Sequence, residues 1–272
     1  MCLITFAYKV HPEYPLIMVA NRDEFHHRQA HPAHWWPDAP SVVAGKDLSE
    51  GGSWMAADHY GRLIALTNIR IGRAAQPENA LSRGKIVADY IVQQTPASQY
   101  LSHLSDRCHI FRPFNLLIYE NQKMFYCSSL NQGFNALPPG IYGLSNAFLD
   151  TPWPKLQAAK SHLQRAIVED QINPDTLTET LSDRTPYAYE LLPDTGIPQQ
   201  HEHLLSSAFI TSPSYGTRCT SVFWQDQKNK CYFRESNWFA SGALASQQEF
   251  SWNPKPFKQL SSPNAQSSPL IL

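Results

Sequence analysis

Neither long apolar runs nor an excess of one charge is found in this 272-residue chain. Its 22 Lys and Arg face 23 Asp and Glu, giving a formal net charge of -1. That balance leaves no electrostatic footprint for nucleic acid and no polybasic patch for a membrane surface. No stretch approaches the roughly 18 apolar residues that mark a membrane-spanning helix. The first apolar run, Leu3–Tyr8, is too short for the core of a signal peptide and is broken by Lys9, His11 and Pro12. Cysteine is scarce and unpatterned: Cys2, Cys108, Cys127, Cys219 and Cys231. An odd count without a Cys-x-x-Cys argues against a disulfide framework or a structural zinc site. A reducing, cytoplasmic location is expected, in which a thiol at position 2 stays free.

What is present suffices for a large core, with 42% hydrophobic residues. A single domain is expected over residues 1–250. A weakly structured tail, 251–272, follows it, rich in Ser, Pro and Asn. Leu3–Val10 and Leu16–Ala20 read as two strands joined by a Pro-containing turn. Residues 26–40, dense in His, Pro and Trp, read as an irregular loop. Further strands are expected at Ser53–Ala57, Leu63–Asn68, Asn115–Tyr119, Lys123–Ser128, Gly140–Leu144, Phe209–Ile210, Thr220–Trp224 and Cys231–Glu235. Helices are expected from Ser82 to about Gln93, over Ala97–Arg107, over Trp153–Asp170 and over Pro174–Leu181, the last capped by Asn173. Strand groups with short turns, alternating with helix pairs, give an α+β layer architecture with mainly antiparallel sheets.

The second residue carries the most chemistry. Removal of Met1 would leave Cys2 with a thiol and an α-amine on one residue. An amine of pKa about 7.7–8.0 beside a thiol of about 8.5 joins a base to a nucleophile near neutral pH. If the first two strands form a hairpin, Asn21-Arg22-Asp23-Glu24 at the end of the second lies near Cys2. A carboxylate there would hold the amine, and an arginine would favour the thiolate. The plainer reading is a solvated turn with a surface ion pair, and spacing alone favours it. Asn68 and Asn146 each end a strand, where an amide donates to an oxyanion or simply caps a turn. Arg218 opens a strand after Gly216, suited to a carboxylate, a thiol or a surface pair.

Ordered motifs carry a resemblance that spacing does not. They include Asn21-Arg22-Asp23-Glu24-Phe25, Trp35-Trp36, Ala44-Gly45-Lys46-Asp47-Leu48, Gly51-Gly52-Ser53-Trp54 and Leu66-Thr67-Asn68-Ile69-Arg70. Ser82-Arg83-Gly84, Gly143-Leu144-Ser145-Asn146, Pro152-Trp153-Pro154-Lys155 and Tyr215-Gly216-Thr217-Arg218 continue the series. With them the chain resembles the Asn-Arg-Asp-Glu family, also called the transport and Golgi organisation protein 2 family. That family is in turn similar to N-terminal-nucleophile hydrolases with cysteine nucleophiles, such as choloylglycine hydrolases and penicillin V acylases. The resemblance implies a four-layer α/β/β/α sandwich. It also implies Cys2 as nucleophile, Asp23 as the carboxylate that positions it, and Asn146 as the oxyanion asparagine. By the same resemblance Asn68 is a second substrate-side polar group and Arg218 the late active-site arginine. The early arginine of the choloylglycine hydrolases lies three residues before the aspartate. Ala20 holds that place here, and Arg22 adjoins Asp23.

The activity so implied is hydrolysis or acyl transfer at a carbon–nitrogen amide bond of a small acylated substrate, with no metal or organic cofactor. The other reading is a non-catalytic carrier of a small molecule, such as haem or an acyl lipid, on the same fold. His26, His27, His31 and His34 crowd one segment, but Pro32 and Pro37 interrupt it. A loop whose tryptophans pack on the core is the better account.

Overall fold

A computed structural model describes residues 2–72, 79–131 and 133–257, with Cys2 described by its backbone. Met1 and residues 258–272, most of the expected tail, lie outside the described residues.

The chain opens with the hairpin β1 (Cys2–Tyr8) and β2 (Leu16–Phe25). Next come β3 (Ala30–Trp36) and β4 (Ala39–Asp47), then β5 (Met55–Asp58) and β6 (Leu63–Asn68). Helices α1 (Gly84–Val92) and α2 (Ala97–Ser105) precede β7 (Phe114–Glu120), β8 (Lys123–Ser128), β9 (Phe134–Ala136) and β10 (Gly140–Leu144). Helices α3 (Pro154–Val168), α4 (Pro174–Glu179) and α5 (Gln199–Leu204) lead to β11 (Tyr215–Gln225), β12 (Cys231–Trp238) and β13 (Leu244–Trp252). One sheet has the order β10-β1-β2-β11-β12-β13, the other β3-β4-β5-β6-β7-β8-β9. Every neighbouring pair of these strands is antiparallel.

Three apolar interfaces hold four layers together. Strand side chains alternate between faces, and both faces of β1 and β2 are apolar. Ile4, Phe6, Met18 and Ala20 meet Val43, Met55, Leu63 and Leu117 between the two sheets. On the outer face of the first sheet, Leu3, Ala7, Ile17 and Val19 pack on Leu156, Ala159 and Leu163 of α3 and Leu177 of α4. On the outer face of the second, Ala44, Ile64, Leu66 and Leu116 pack on Ile86, Val87 and Tyr90 of α1 and Leu101 of α2. The order is therefore helices, sheet, sheet, helices, the α/β/β/α sandwich expected above. A fully buried Leu or Ile contributes about 1.5–3 kcal/mol. The two-sided apolar patterns are thus what commit these strands to the middle layers.

Several elements differ from the sequence expectation. Residues 26–40 are not a loop: β2 runs on to Phe25, and β3 and β4 form a hairpin with register shifts after His31 and Trp35. Proline is tolerated there because β3 is an edge strand. Phe209–Ile210 is not a strand, although Thr211 bridges Gly216. Helix α1 starts at Gly84 behind Arg83, which makes no side-chain capping bond, so Ser82 is not its cap. Asn173 does cap α4, accepting from the N–H groups of Asp175 and Thr176. Among the described residues, no helix is long and apolar enough to cross a membrane.

Candidate functional site

The end of β2 distributes its four polar residues by strand alternation. Asn21 and Asp23 lie on the α3 face, with Ile17 and Val19. Arg22 lies on the face between the sheets, with Met18 and Ala20. Asn21 is fully buried and spent on the fold. Its amide donates to the carbonyls of Leu181 (3.0 Å) and Ala208 (2.9 Å), and its oxygen accepts from Thr220 Oγ1 (2.6 Å).

Asp23 is also buried. Its Oδ1 accepts from Thr217 Oγ1 at 2.7 Å. Burial pushes the carboxyl above its ordinary range, opposed by the charges of Lys155 and Arg70 and by the Thr217 bond. Arg22 donates to Asp47 Oδ2 at 3.0 Å, and its guanidinium carbon sits 4.3 Å over the Trp54 ring. Asp47 is the hub of this corner. It also takes Arg28 Nε at 2.7 Å and the backbone N–H groups of Ser49 and Glu50. Burial works to raise the Asp47 carboxyl, but Arg28, the N–H donors and Arg22 outweigh it and hold it below the usual range.

That balance gives a pH dependence. A depressed carboxyl stabilises the fold above its unfolded value of about 3.9 and loses that contribution as pH falls through the folded value. Asp47→Asn is expected to cost on the order of 1–3 kcal/mol at neutral pH. It should also flatten the acid limb of the stability curve. Urea titrations of both proteins across acid pH measure this, and parallel curves would exclude it.

Cys2 enters through the backbone. It is the register partner of Arg22, and Arg22 is in turn the partner of Cys219 on β11. Paired residues of an antiparallel ladder share a face, so the register position of Cys2 is on the side of Arg22, and Asp23 is on the other. Cys219 is buried, and beyond it Glu235 Oε1 takes the N–H of Ala33 at 2.8 Å. Burial pushes Glu235 up.

Asn68 ends β6, and Asn146 follows β10. The Asn146 amide donates to the Asn68 carbonyl at 2.9 Å. The Asn146 carbonyl accepts from the Arg70 N–H at 2.8 Å, and Asn146 is 1% exposed. Arg70 is ion-paired with Glu202 and stacks 5.4 Å from the Trp153 ring. Arg218 behaves differently. It bulges out of β11 between Thr217 and Cys219, and its Nη1 donates to the carbonyls of Phe25 (3.0 Å), His26 (3.1 Å) and Arg28 (3.3 Å). It clamps the turn after β2. Burial and the nearby charge of Arg22 lower its pKa.

A cleft of about 260 Å³ collects Arg22, Asp23, Asp47, Trp54, Asn68 and Arg83 along its walls. Of the residues expected from the sequence, Arg22, Asp23 and Asn68 thus share one cleft. Asn146 is hydrogen-bonded to Asn68, and Cys2 is paired to Arg22. Arg218 stands behind the β2 turn. Asp47, Trp54 and Arg28 were not singled out from the sequence as site residues, although two of them fall inside the quoted motifs, Ala44–Leu48 and Gly51–Trp54. A larger cleft of about 540 Å³ lies at the far end of the first sheet, beside Tyr14, Trp224 and Tyr232, and contains none of these groups. The chemistry, not the volume, selects the smaller one. Of the histidines between β2 and the end of β3, His26 bonds to the Ser212 carbonyl and His34 to that of Pro32. Among the described residues, no three His, Cys, Asp or Glu side chains converge to hold a metal ion.

These features define a class: a two-sheet α/β/β/α sandwich with a charged cleft where strands β1, β2 and β6 end or begin. Residues 1–240 match the Transport and Golgi organisation 2 family, and the chain belongs to that family. It is 32% identical to the Transport and Golgi organization protein 2 homolog of Bos taurus, over 89% of this chain and 94% of that protein. Identity to the Homo sapiens homolog is 32% (86% and 92% covered), and to the Drosophila melanogaster protein 29% (86% and 91%). Among solved structures, the Caenorhabditis elegans N-acylethanolamine-hydrolyzing acid amidase (NAAA) ortholog aligns with 76% of this chain and 98% of its own. Its TM-score is 0.44 and its identity 14%.

Proposed function

We propose that this protein is a cysteine N-terminal-nucleophile amidohydrolase or acyltransferase acting on a small acylated substrate. One observation carries the reading: the backbone pairing of Cys2 with Arg22, at the rim of the cleft that holds Asp23 and Asn68. Once Met1 is removed, the Cys2 amine accepts the thiol proton. The sulfur bonds to the substrate carbonyl carbon, and the amide C–N bond breaks as the proton passes to the leaving nitrogen. A thioester remains, and water or a second amine or alcohol releases the acyl group. Arg22 favours the thiolate from the register position beside it. Asp23 holds the amine, and Asn146 with Asn68 stabilises the oxyanion. Arg218 acts at one remove, by fixing the turn that carries Arg28. No metal or organic cofactor is required.

The test is a panel of reactive acyl probes against wild type and Cys2→Ser, with intact-mass measurement of the N-terminus. Stoichiometric thioester formation on a processed wild type, absent in Cys2→Ser, is the expected result. Retained Met1 with equal labelling of both proteins would sink the reading. Asn146→Ala is expected to lower kcat about 10²–10³-fold. The stability loss from its Asn68 bond is only about 1 kcal/mol. Turnover and urea unfolding, measured together, separate the two effects.

A second reading is a non-catalytic carrier of a small molecule, consistent with the transport in the relatives' names. It is favoured by the internal engagement of the polar groups: Arg22 on Asp47, Arg218 on three carbonyls, and the Asn146 amide on Asn68. Such a site binds without needing a free nucleophile. Ligand capture unchanged in Cys2→Ser would support it.

A further inference from the structure

Each sheet has two edge strands, and three of the four edges are guarded. In β3, Pro32 and two register shifts break the ladder. Strand β9 has only three residues. Strand β10 has five, and α3 lies against it so closely that a Cβ on Gly143 would meet Leu156 at 2.7 Å. Short length, proline, bulges and covering elements are the devices that keep sheet edges from pairing. Strand β13 has none of them over most of its length. It is nine residues long, without Pro or Lys, and its one irregularity falls at its start, beside Ala245. Its row of outward N–H and C=O groups has no strand partner among the described residues. The chain leaves it at once: the Lys255 N–H donates to the His59 carbonyl, across on the other sheet.

We propose that β13 is the interface of a homodimer, pairing antiparallel with β13 of a second copy to continue the first sheet across a two-fold axis. A two-fold axis perpendicular to the sheet keeps each residue on its own face, so it must pass beside one residue that pairs with itself. Charge and strand overlap together select which. An axis at Glu249 sets two carboxylates opposite each other, which is destabilising. An axis at Gln248 uses the whole strand. Gln248 then meets its own copy, Gln247 meets Glu249, and Ser246 meets Phe250. Glu249 is already balanced within its own chain by Arg234 at 3.5 Å, so an amide opposite it is a compatible neighbour. Phe250 and Trp252 stay on the inter-sheet face, where they pack today.

Sedimentation of the full-length chain over a wide concentration range tests this. A reversible dimer of twice the chain mass is expected. Gln247 is exposed, so its replacement leaves the fold intact, and two changes there have opposite signs. Gln247→Glu sets like charges across both copies of the pair and raises the dimer dissociation constant several-fold. Gln247→Lys sets opposite charges and lowers it. Gln248→Cys supplies a second readout, because self-paired residues lie about 4.5–5.5 Å apart, within disulfide range. Mild oxidation should give a covalent dimer from Gln248→Cys and far less from Gln247→Cys. A monomer at every concentration overturns the proposal, as does a shift of the same sign for the two Gln247 variants. Dimerisation seen only after removal of residues 258–272 would also overturn it, assigning the edge to the chain's own end.

Discussion

Cys2→Ala is expected to abolish turnover of any amide or acyl substrate identified for this protein while leaving the fold intact. The expectation rests on the proposed mechanism, in which one residue supplies both the attacking sulfur and, through its α-amine, the base. Removing the sulfur leaves no second nucleophile in place. Cys219 flanks Arg22 on the other side, but it is buried between the sheets. Nucleophile removal in comparable enzymes leaves only the residual rate that oxyanion stabilisation and binding supply, a loss on the order of 10⁶. Steady-state rates of wild type and variant, with circular dichroism to confirm folding, decide the matter. Equal rates would remove Cys2 from the chemistry and overturn the proposed mechanism.

The second large effect concerns stability. Arg62 and Asp58, 2% and 0% exposed, form an ion pair of 2.7 Å inside the β5–β6 hairpin. Arg62 also donates to the Ile91 carbonyl at 2.9 Å, tying the hairpin to α1. Asp58 Oδ1 meanwhile accepts from the N–H groups of Tyr60 and Arg62. Removing one partner strands the other charge in the interior, so Arg62→Ala is expected to cost about 3–5 kcal/mol. The deficit should depend on pH. Burial already raises Asp58, opposed chiefly by Arg62; without the arginine its folded value rises further above the unfolded one. Such a group binds its proton more tightly when folded, so stability is lost as pH increases through the window between the two values. Urea unfolding of the variant should show a smaller deficit at acid pH than at neutrality. An equal deficit at both would mean that lost packing, not the stranded carboxylate, carries the cost.

How far the sequence revealed this architecture follows from which residues face the core. Gly140–Leu144 and Lys123–Ser128 were legible to the residue. Strand β13 was invisible, because Ser246, Gln247, Gln248 and Glu249 give an edge strand almost no apolar signal. The β3–β4 hairpin was hidden by histidines and prolines, whose composition mimics a loop. Helix α1 is shorter than expected and lacks the Ser82 cap, starting at Gly84, which lies against the backbone of Gly52 too closely for a Cβ on Gly52. At the site, the expected hairpin brought the adjacent Arg22 and Asp23 to Cys2, and only resemblance added Asn68, whose spacing carries no signal. Asp47 and Trp54 come from other strands and loops, and only the register and the sheet-on-sheet packing bring them to Arg22.

The position of Arg22 has a mechanical meaning. It is rooted in one sheet and leans on Trp54 and Asp47 of the other, so it works as a rivet through the sandwich at the mouth of the cleft. On the proposed function, the cleft that a ligand enters is the one whose mouth this residue spans. Loosening the rivet widens the mouth and weakens the sandwich in one motion. Tolerance for larger ligands and resistance to unfolding are consequently set against each other at this one position.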